Sequence, residues 1–278
     1  MLKVLRVQMA LTGPHQLSPF SLPHRQQDAQ EFAVRLFQHL HAAGRCVLSD
    51  ISPRRVRSAA GEESVIAHLL RYEKYQDPSW IGESCTSTLM RAHRCGGCGH
   101  GSLSFESQMV MQIPIPAATT EEPVSILDCV AAAVAHEQLD LYYCDASDCQ
   151  YNAYGSKAVR FTRIGRTSDT LIFSFLRFER LSVTVYEKKE QAVNVAEIID
   201  IAEFCNKDAL LEMGSEGTKY KLCGICHHEG TLKEGHYWAT CKAVSDGRWR
   251  LFDDARVHDI ECPAGPSQTA YMVIYSRI

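Results

Sequence analysis

Gly235-His236-Tyr237-Trp238-Ala239-Thr240-Cys241-Lys242 is followed, across Asp246-Gly247, by Trp249-Arg250-Leu251-Phe252-Asp253-Asp254. Asp-Gly between two apolar, aromatic-rich runs is a hairpin signal, so His236–Ala243 and Trp249–Phe252 read as antiparallel strands. A histidine after glycine at one end and a carboxylate at the end of the next strand suggest a base and its orienting acid. A cysteine hydrolase needs this pairing, because an imidazole takes the thiol proton and a carboxylate fixes its tautomer. Counting residues across a simple two-residue turn, however, sets Asp253 opposite Thr240, roughly 13 Å along the strand from His236. A wider turn or a bulge has to close that offset. Without it, an exposed histidine and an N-capping aspartate read equally well.

Working outward, Tyr220–His227 and Ala270–Tyr275 are further strand-like runs, as are 157–164 and 170–178. In the last of these, Leu171, Phe173 and Phe175 lie on one face with Ile172 and Leu176 on the other, which predicts a strand covered on both sides. Trp80–Pro116 is strand-like with imperfect alternation, and the polar stretch AATTEEPVS links it to a helix. Ser125-x-x-Asp128 caps that helix, which the pattern carries to about Gln138. Residues 26–43 form an amphipathic helix with Ala29, Phe32, Ala33, Leu36 and Leu40 on its apolar stripe. A loop over 44–64 and a short helix over Val65–Glu73 follow, and 179–218 is less regular. The whole is an α+β pattern with an antiparallel sheet toward the C-terminus.

Twelve cysteines occur without a secretory leader, which favours reduced thiols or metal ligands over a disulfide framework. Cys95-Gly96-Gly97-Cys98 and Cys144-Asp145-Ala146-Ser147-Asp148-Cys149 are two knuckles in turn-forming sequence. Two such knuckles supply the four sulfurs of a closed tetrahedral zinc site. The four-residue spacing of the second is unusual, and four unligated loop thiols are the opposing reading; His100 is a substitute ligand. Cys223-Gly224-Ile225-Cys226 has no second knuckle and reads as part of a buried strand.

The 278 residues are 45% hydrophobic, enough for a sizeable core. A formal charge of −4 offers no basic field for nucleic acid. The longest apolar run, Cys129–Ala135, is too short to span a bilayer. A protein of the cytosol or nucleus is expected.

Gln26-Gln27-Asp28-Ala29-Gln30-Glu31-Phe32 resembles the QQDAQEF box of the ubiquitin-specific proteases, papain-like deubiquitinases. In that family's order there follow the two knuckles, SILDCV at 125–130, YYCDASDC, TLIFSFLRF at 170–178, YKLCGICHHEG at 220–230, GHYWATCK at 235–242, WRLFDD at 249–254 and AYMVIY at 270–275. The resemblance implies a papain-like α+β fold of helical thumb (about 1–79), zinc-bearing β fingers (about 80–165) and β-sheet palm (about 166–278). It implies that His236 is the general base, Asp253 its orienting residue and Asp254 a secondary candidate. Gln27, Asp28, Glu31 and Tyr237 would receive the ubiquitin tail, whose arginines suit paired carboxylates. The family's nucleophile sits in a G-N-T-C-Y-like box ahead of QQDAQEF. Here the first cysteine is Cys46, beyond that box, so the expectation is a catalytic domain N-terminally incomplete and without its thiolate. Either a thiol-dependent hydrolase acting after the ubiquitin Gly-Gly end or a non-cleaving ubiquitin-binding or scaffold relative is implied. Ubiquitin or ubiquitinated proteins are the expected partners, and zinc the expected ion.

Overall fold

The computed structural model describes residues 28–43, 79–117, 122–183, 185–213, 215–232 and 234–278. Gln27, the loop at 44–64 and the helix expected over Val65–Glu73 lie outside them.

An eight-stranded sheet organises the chain. Its strands are β3 (Met111–Pro114), β7 (Thr170–Leu176), β11 (Ile198–Asp200), β12 (Lys219–Gly230), β13 (Gly235–Lys242), β14 (Trp249–Asp253), β15 (Arg256–Ile260) and β17 (Ala270–Arg277). They run in the order β15-β14-β13-β12-β17-β7-β3, with β11 beside β12. Only β3 and β7 pair in parallel among these strands. As the alternation of TLIFSF predicts, both faces of β7 are covered. Leu171, Phe173 and Phe175 face the main core with Ile126, Cys129 and Val130 of helix α3 (Ile126–Ala133). Ile172 faces the other way, with Tyr271 and Met272, beneath helix α1 (Ala29–Ala43). Ala29 and Ala33 of α1 make this contact, and Val34 and Phe37, outside the predicted stripe, complete it.

Leu176 departs from the expectation. It is 42% exposed, and Arg177 is fully buried in its place. A tight turn from Arg177 N–H to the Phe175 carbonyl (2.8 Å) ends the strand there. The Arg177 guanidinium then donates to the carbonyls of Ala270 (2.5 Å), Lys189 (2.9 Å), Gln191 (3.0 Å) and Ser267 (3.2 Å). A buried cation satisfied by carbonyl dipoles holds three connections together where the sheet meets its loops.

A second, four-stranded sheet runs β2-β1-β6-β5, from β1 (Ser87–Cys95), β2 (Gly101–Gln108), β5 (Glu137–Tyr142) and β6 (Ser156–Arg166). The short strands β4 (Val124–Ser125), β10 (Val193–Val195) and β16 (Gly265–Ser267) pair as β16-β10-β4, and β8 (Phe178–Arg180) pairs with β9 (Tyr186–Lys188). Helix α2 (Trp80–Cys85), N-capped by Ser79, leads into β1. The Ser125 cap forms as a reciprocal box, Leu127 N–H to Ser125 Oγ and Ser125 N–H to Asp128, both 3.2 Å. Helix α3 stops at Ala133 instead of Gln138, because Glu137 to Leu139 pair with β6 and the Glu137 carboxylate binds Arg160. Ladder pairing there outcompetes helical propensity, which is weak in a short isolated turn.

Candidate active site

The hairpin is wider than its Asp-Gly signal suggests. Lys242 pairs with Trp249 and Ala239 with Phe252, leaving Ala243–Arg248 as the connection. Ala243 N–H bonds the Arg248 carbonyl (2.8 Å), and Gly247 takes the left-handed conformation the turn demands (φ 70°). Each strand is thereby drawn along the other, so that Asp253 continues toward Trp238 and falls two positions from His236 on the facing strand. Diagonal neighbours at that spacing are within side-chain reach. The His236 Nε2 to Asp253 Oδ1 distance is 2.5 Å. A carboxylate can only accept, so Nε2 carries the proton and Nδ1 presents its lone pair. Asp254 stands in the turn to β15 in a left-handed conformation (φ 51°), and its carboxylate lies with His236 and Asp253 in one group of side-chain atoms within 4.8 Å.

The glycine before His236 is required by packing. A Cβ on Gly235 would meet the Glu229 carbonyl at 2.5 Å and His228 Nε2 at 2.4 Å. The His228 ring is buried among Tyr237, Tyr271 and Phe178, with centroids 4.5, 5.7 and 5.6 Å away. Burial lowers its pKa.

Asp28 and Glu31 are brought to the same end of the sheet but do different things. Asp28 is the N-cap of α1, taking the Glu31 N–H on Oδ1 (2.9 Å). Its Oδ2 accepts the hydroxyls of Tyr271 and, at 3.4 Å, Tyr237. Burial, reinforced by Asp28, pushes both phenols up. Glu31 is instead paired with Arg35 at 2.9 Å on the exposed side. Tyr271 was not singled out by the sequence reading, although it follows the alanine of AYMVIY at the strand end nearest α1.

At the far sheet, the sulfurs of Cys95, Cys98, Cys144 and Cys149 lie within 4.8 Å of one another. Cys95 and Cys149 are 4.0 Å apart, Cys98 and Cys144 3.6 Å. The first knuckle is closed by Cys95 N–H to the His100 carbonyl and Gly99 N–H to the Cys95 carbonyl, both 2.9 Å. Gly96 is needed because a Cβ would come within 2.7 Å of the Lys157 carbonyl. The Ser156 hydroxyl holds the Cys95 thiol low, whereas burial pushes Cys144 up. A divalent cation would stabilise thiolates on both, and a four-sulfur donor set converging from two turns fits a metal ion. His100 is not in the group; it pairs with Asp145 at 3.2 Å. Cys223 and Cys226 belong to no metal-competent group among the described residues, as the strand reading had it.

Two sheets, one ending in a four-cysteine cluster and the other carrying a His–Asp pair next to the tyrosine that bonds the cap of a helix, define the ubiquitin-specific protease fold. The same fold is found in a chain of the SAGA DUB module of Ubp8, Sgf11, Sus1 and Sgf73 bound to monoubiquitin, with a TM-score of 0.65 and 21% identity over 91% of this chain and 49% of that one. The family model for ubiquitin carboxyl-terminal hydrolase matches residues 9–275, and the chain belongs to that family. It is 27% identical to ubiquitin carboxyl-terminal hydrolase 2 of Gallus gallus, over 93% of this chain and 70% of that protein. The Homo sapiens protein of the same name is 26% identical, with 93% and 41% covered. Ubiquitin carboxyl-terminal hydrolase 21 of Mus musculus is 26% identical, with 91% and 46% covered. The chain thus spans less than half of the human and mouse relatives.

Proposed function

We propose that this chain carries the ubiquitin-tail and general-base half of a thiol-dependent deubiquitinase. The observation that carries the reading is the 2.5 Å contact of His236 Nε2 with Asp253 in a chain of this family. In the family's reaction a thiolate adds to the carbonyl carbon of ubiquitin's terminal glycine, and the C–N bond from that carbon to the substrate lysine breaks. The imidazole that took the thiol proton gives it to the leaving amine, and water then hydrolyses the thioester. With Nε2 held by Asp253, proton traffic passes through Nδ1 of His236. Asp254 is a reserve carboxylate for the same ring. Glu31 and Tyr237, with Gln27 beside them in sequence, receive the tail, and Asp28 shapes its seat by holding the start of α1 against Tyr237 and Tyr271. One zinc ion on Cys95, Cys98, Cys144 and Cys149 fixes the tip of the finger strands 87–108 and 137–166 and takes no part in the chemistry. The helices before residue 86 form the thumb and the eight-stranded sheet the palm. Among the described residues, no helix is long and apolar enough to cross a membrane. Twelve cysteines, four of them grouped as metal ligands, suit a reducing compartment, and on that ground we place the protein in the cytosol or nucleus.

None of the 25 residues ahead of Gln26 is a cysteine, and no described cysteine joins the His236–Asp253 group. The described residues therefore offer no thiolate to His236, and we read this chain by itself as one that binds ubiquitin without cleaving it. Ubiquitin bearing a C-terminal electrophile tests the reading. The 278-residue chain should remain unlabelled while binding unmodified ubiquitin. Covalent labelling that disappears in His236→Gln would overturn it, by revealing a nucleophile elsewhere.

A further inference from the structure

The stretch that defines the site also contains a tryptophan that the hydrolytic scheme leaves unused. Trp238 is two residues beyond His236 on the same face of β13, where side chains repeat. Its indole is stacked with the His236 imidazole, centroids 5.9 Å apart and planes at 22°. It is also stacked with His227, at 5.2 Å and 4°, its partner across the β12–β13 ladder. His227 is immobilised at both nitrogens, Nδ1 to Thr269 Oγ1 (2.9 Å) and Nε2 to Thr240 Oγ1 (3.2 Å). Three flat rings thus run from a buried, pinned histidine to one whose side chain is 48% exposed.

From this stack we infer that Trp238 is a positioning residue for the His236–Asp253 pair. The inference rests on His236 being the base, but the stack can be measured without any hydrolysis. A single hydrogen bond to an exposed carboxylate leaves an imidazole free to change rotamer and leaves the bond open to competing water. An indole alongside restricts the ring and covers part of the bond, while the Nδ1 edge stays open. Stacked aromatic pairs add attraction beyond their buried area. That attraction grows when the imidazole is cationic, the state His236 must pass through between taking a thiol proton and releasing it. The pinned His227 gives the indole a fixed backing, so the restraint on His236 traces back to two threonine hydroxyls.

Proton and nitrogen NMR of the full 278-residue, metal-replete chain tests this. In the unaltered chain the His236 ring C–H signals should be displaced upfield by the indole ring current, and its Nε2–H should be protected from solvent exchange. Both assignments are made by their loss in His236→Gln. Trp238→Phe, which keeps a stacking ring, should preserve the protection. Trp238→Thr should abolish the upfield displacement and speed Nε2–H exchange about three- to tenfold. If the threonine variant fails to fold, Trp238→Leu fills similar space without a ring and should give the same result. A folded variant without the ring whose His236 signals and exchange rate match the unaltered chain would overturn the inference. Should His236 prove not to be the base, the stack signature would persist while His236→Gln spared hydrolysis in a form supplied with the family's cysteine box. The two failures are therefore separable.

Discussion

A methyl group at residue 235 would have nowhere to go. Its neighbours are a strand carbonyl at 2.5 Å, which cannot retreat without disturbing the β12–β13 ladder, and a buried ring at 2.4 Å packed against Phe178, Tyr237 and Tyr271. Gly235→Ala should therefore lose roughly 1–3 kcal/mol in denaturant unfolding, and should displace the His236 backbone as judged by its amide shifts. A buried titrating group gives a second test. Burial brings His227 down to about 4, so the folded chain holds it neutral while the unfolded chain protonates below its ordinary value near 6.5. Its contribution is complete above about pH 6.5 and is lost as the pH falls toward 4, by roughly 1 kcal/mol per unit. His227→Gln, able to bond both threonines, should flatten that part of the stability–pH curve. None of this was legible in CHHEG: two adjacent histidines in a strand look alike until the register sends one to the threonines and the other to the tyrosines.

Among the elements, the hairpin and the knuckles show what local sequence can and cannot decide. Asp246-Gly247 correctly marked a turn, and Gly247 does adopt positive φ, but the dipeptide does not specify how many residues the loop takes. Loop length sets register, and here it separates an Asp253 facing Thr240 from one able to reach His236. Arg177 was missed for a related reason. An arginine after an apolar run reads as the exposed end of a strand, and only four carbonyls supplied by two other segments, 189–191 and 267–270, make its burial tolerable. Arg177→Met should cost about 3 kcal/mol or more, because those carbonyls lose their donor in a dry site. The cysteine knuckles were legible because chelation by short turns is a local requirement. Metal analysis of protein purified without added zinc should find about one equivalent. Cys95→Ala should remove it and Cys223→Ala should not, and loss of metal from the latter variant instead would refute the assignment.

Across the whole molecule, the end of the sheet that would meet a ubiquitin tail is assembled from residues more than two hundred positions apart: Asp28 on α1, Tyr237 on β13 and Tyr271 on β17. The resemblance paired Asp28 and Glu31 as equivalent carboxylates for the tail. The structure distinguishes them, because capping and tyrosine hydroxyls occupy both oxygens of Asp28, whereas Glu31 is exposed and pairs with Arg35 on the surface, an interaction worth little. Their substitutions should therefore differ in kind. Asp28→Asn weakens the docking of α1 on the sheet, so it should lower the unfolding midpoint and reduce ubiquitin affinity at every ionic strength. Glu31→Gln leaves the fold intact and removes a charge facing solvent, so its effect on affinity should be several-fold at low salt and fade once screening shortens to a few ångströms. Ubiquitin titration of both variants at low and high salt, beside their denaturation curves, measures the difference. Equal salt dependence in the two, with unchanged stability for Asp28→Asn, would mean that Asp28 is free for the tail after all and that its tyrosine contacts hold nothing in place.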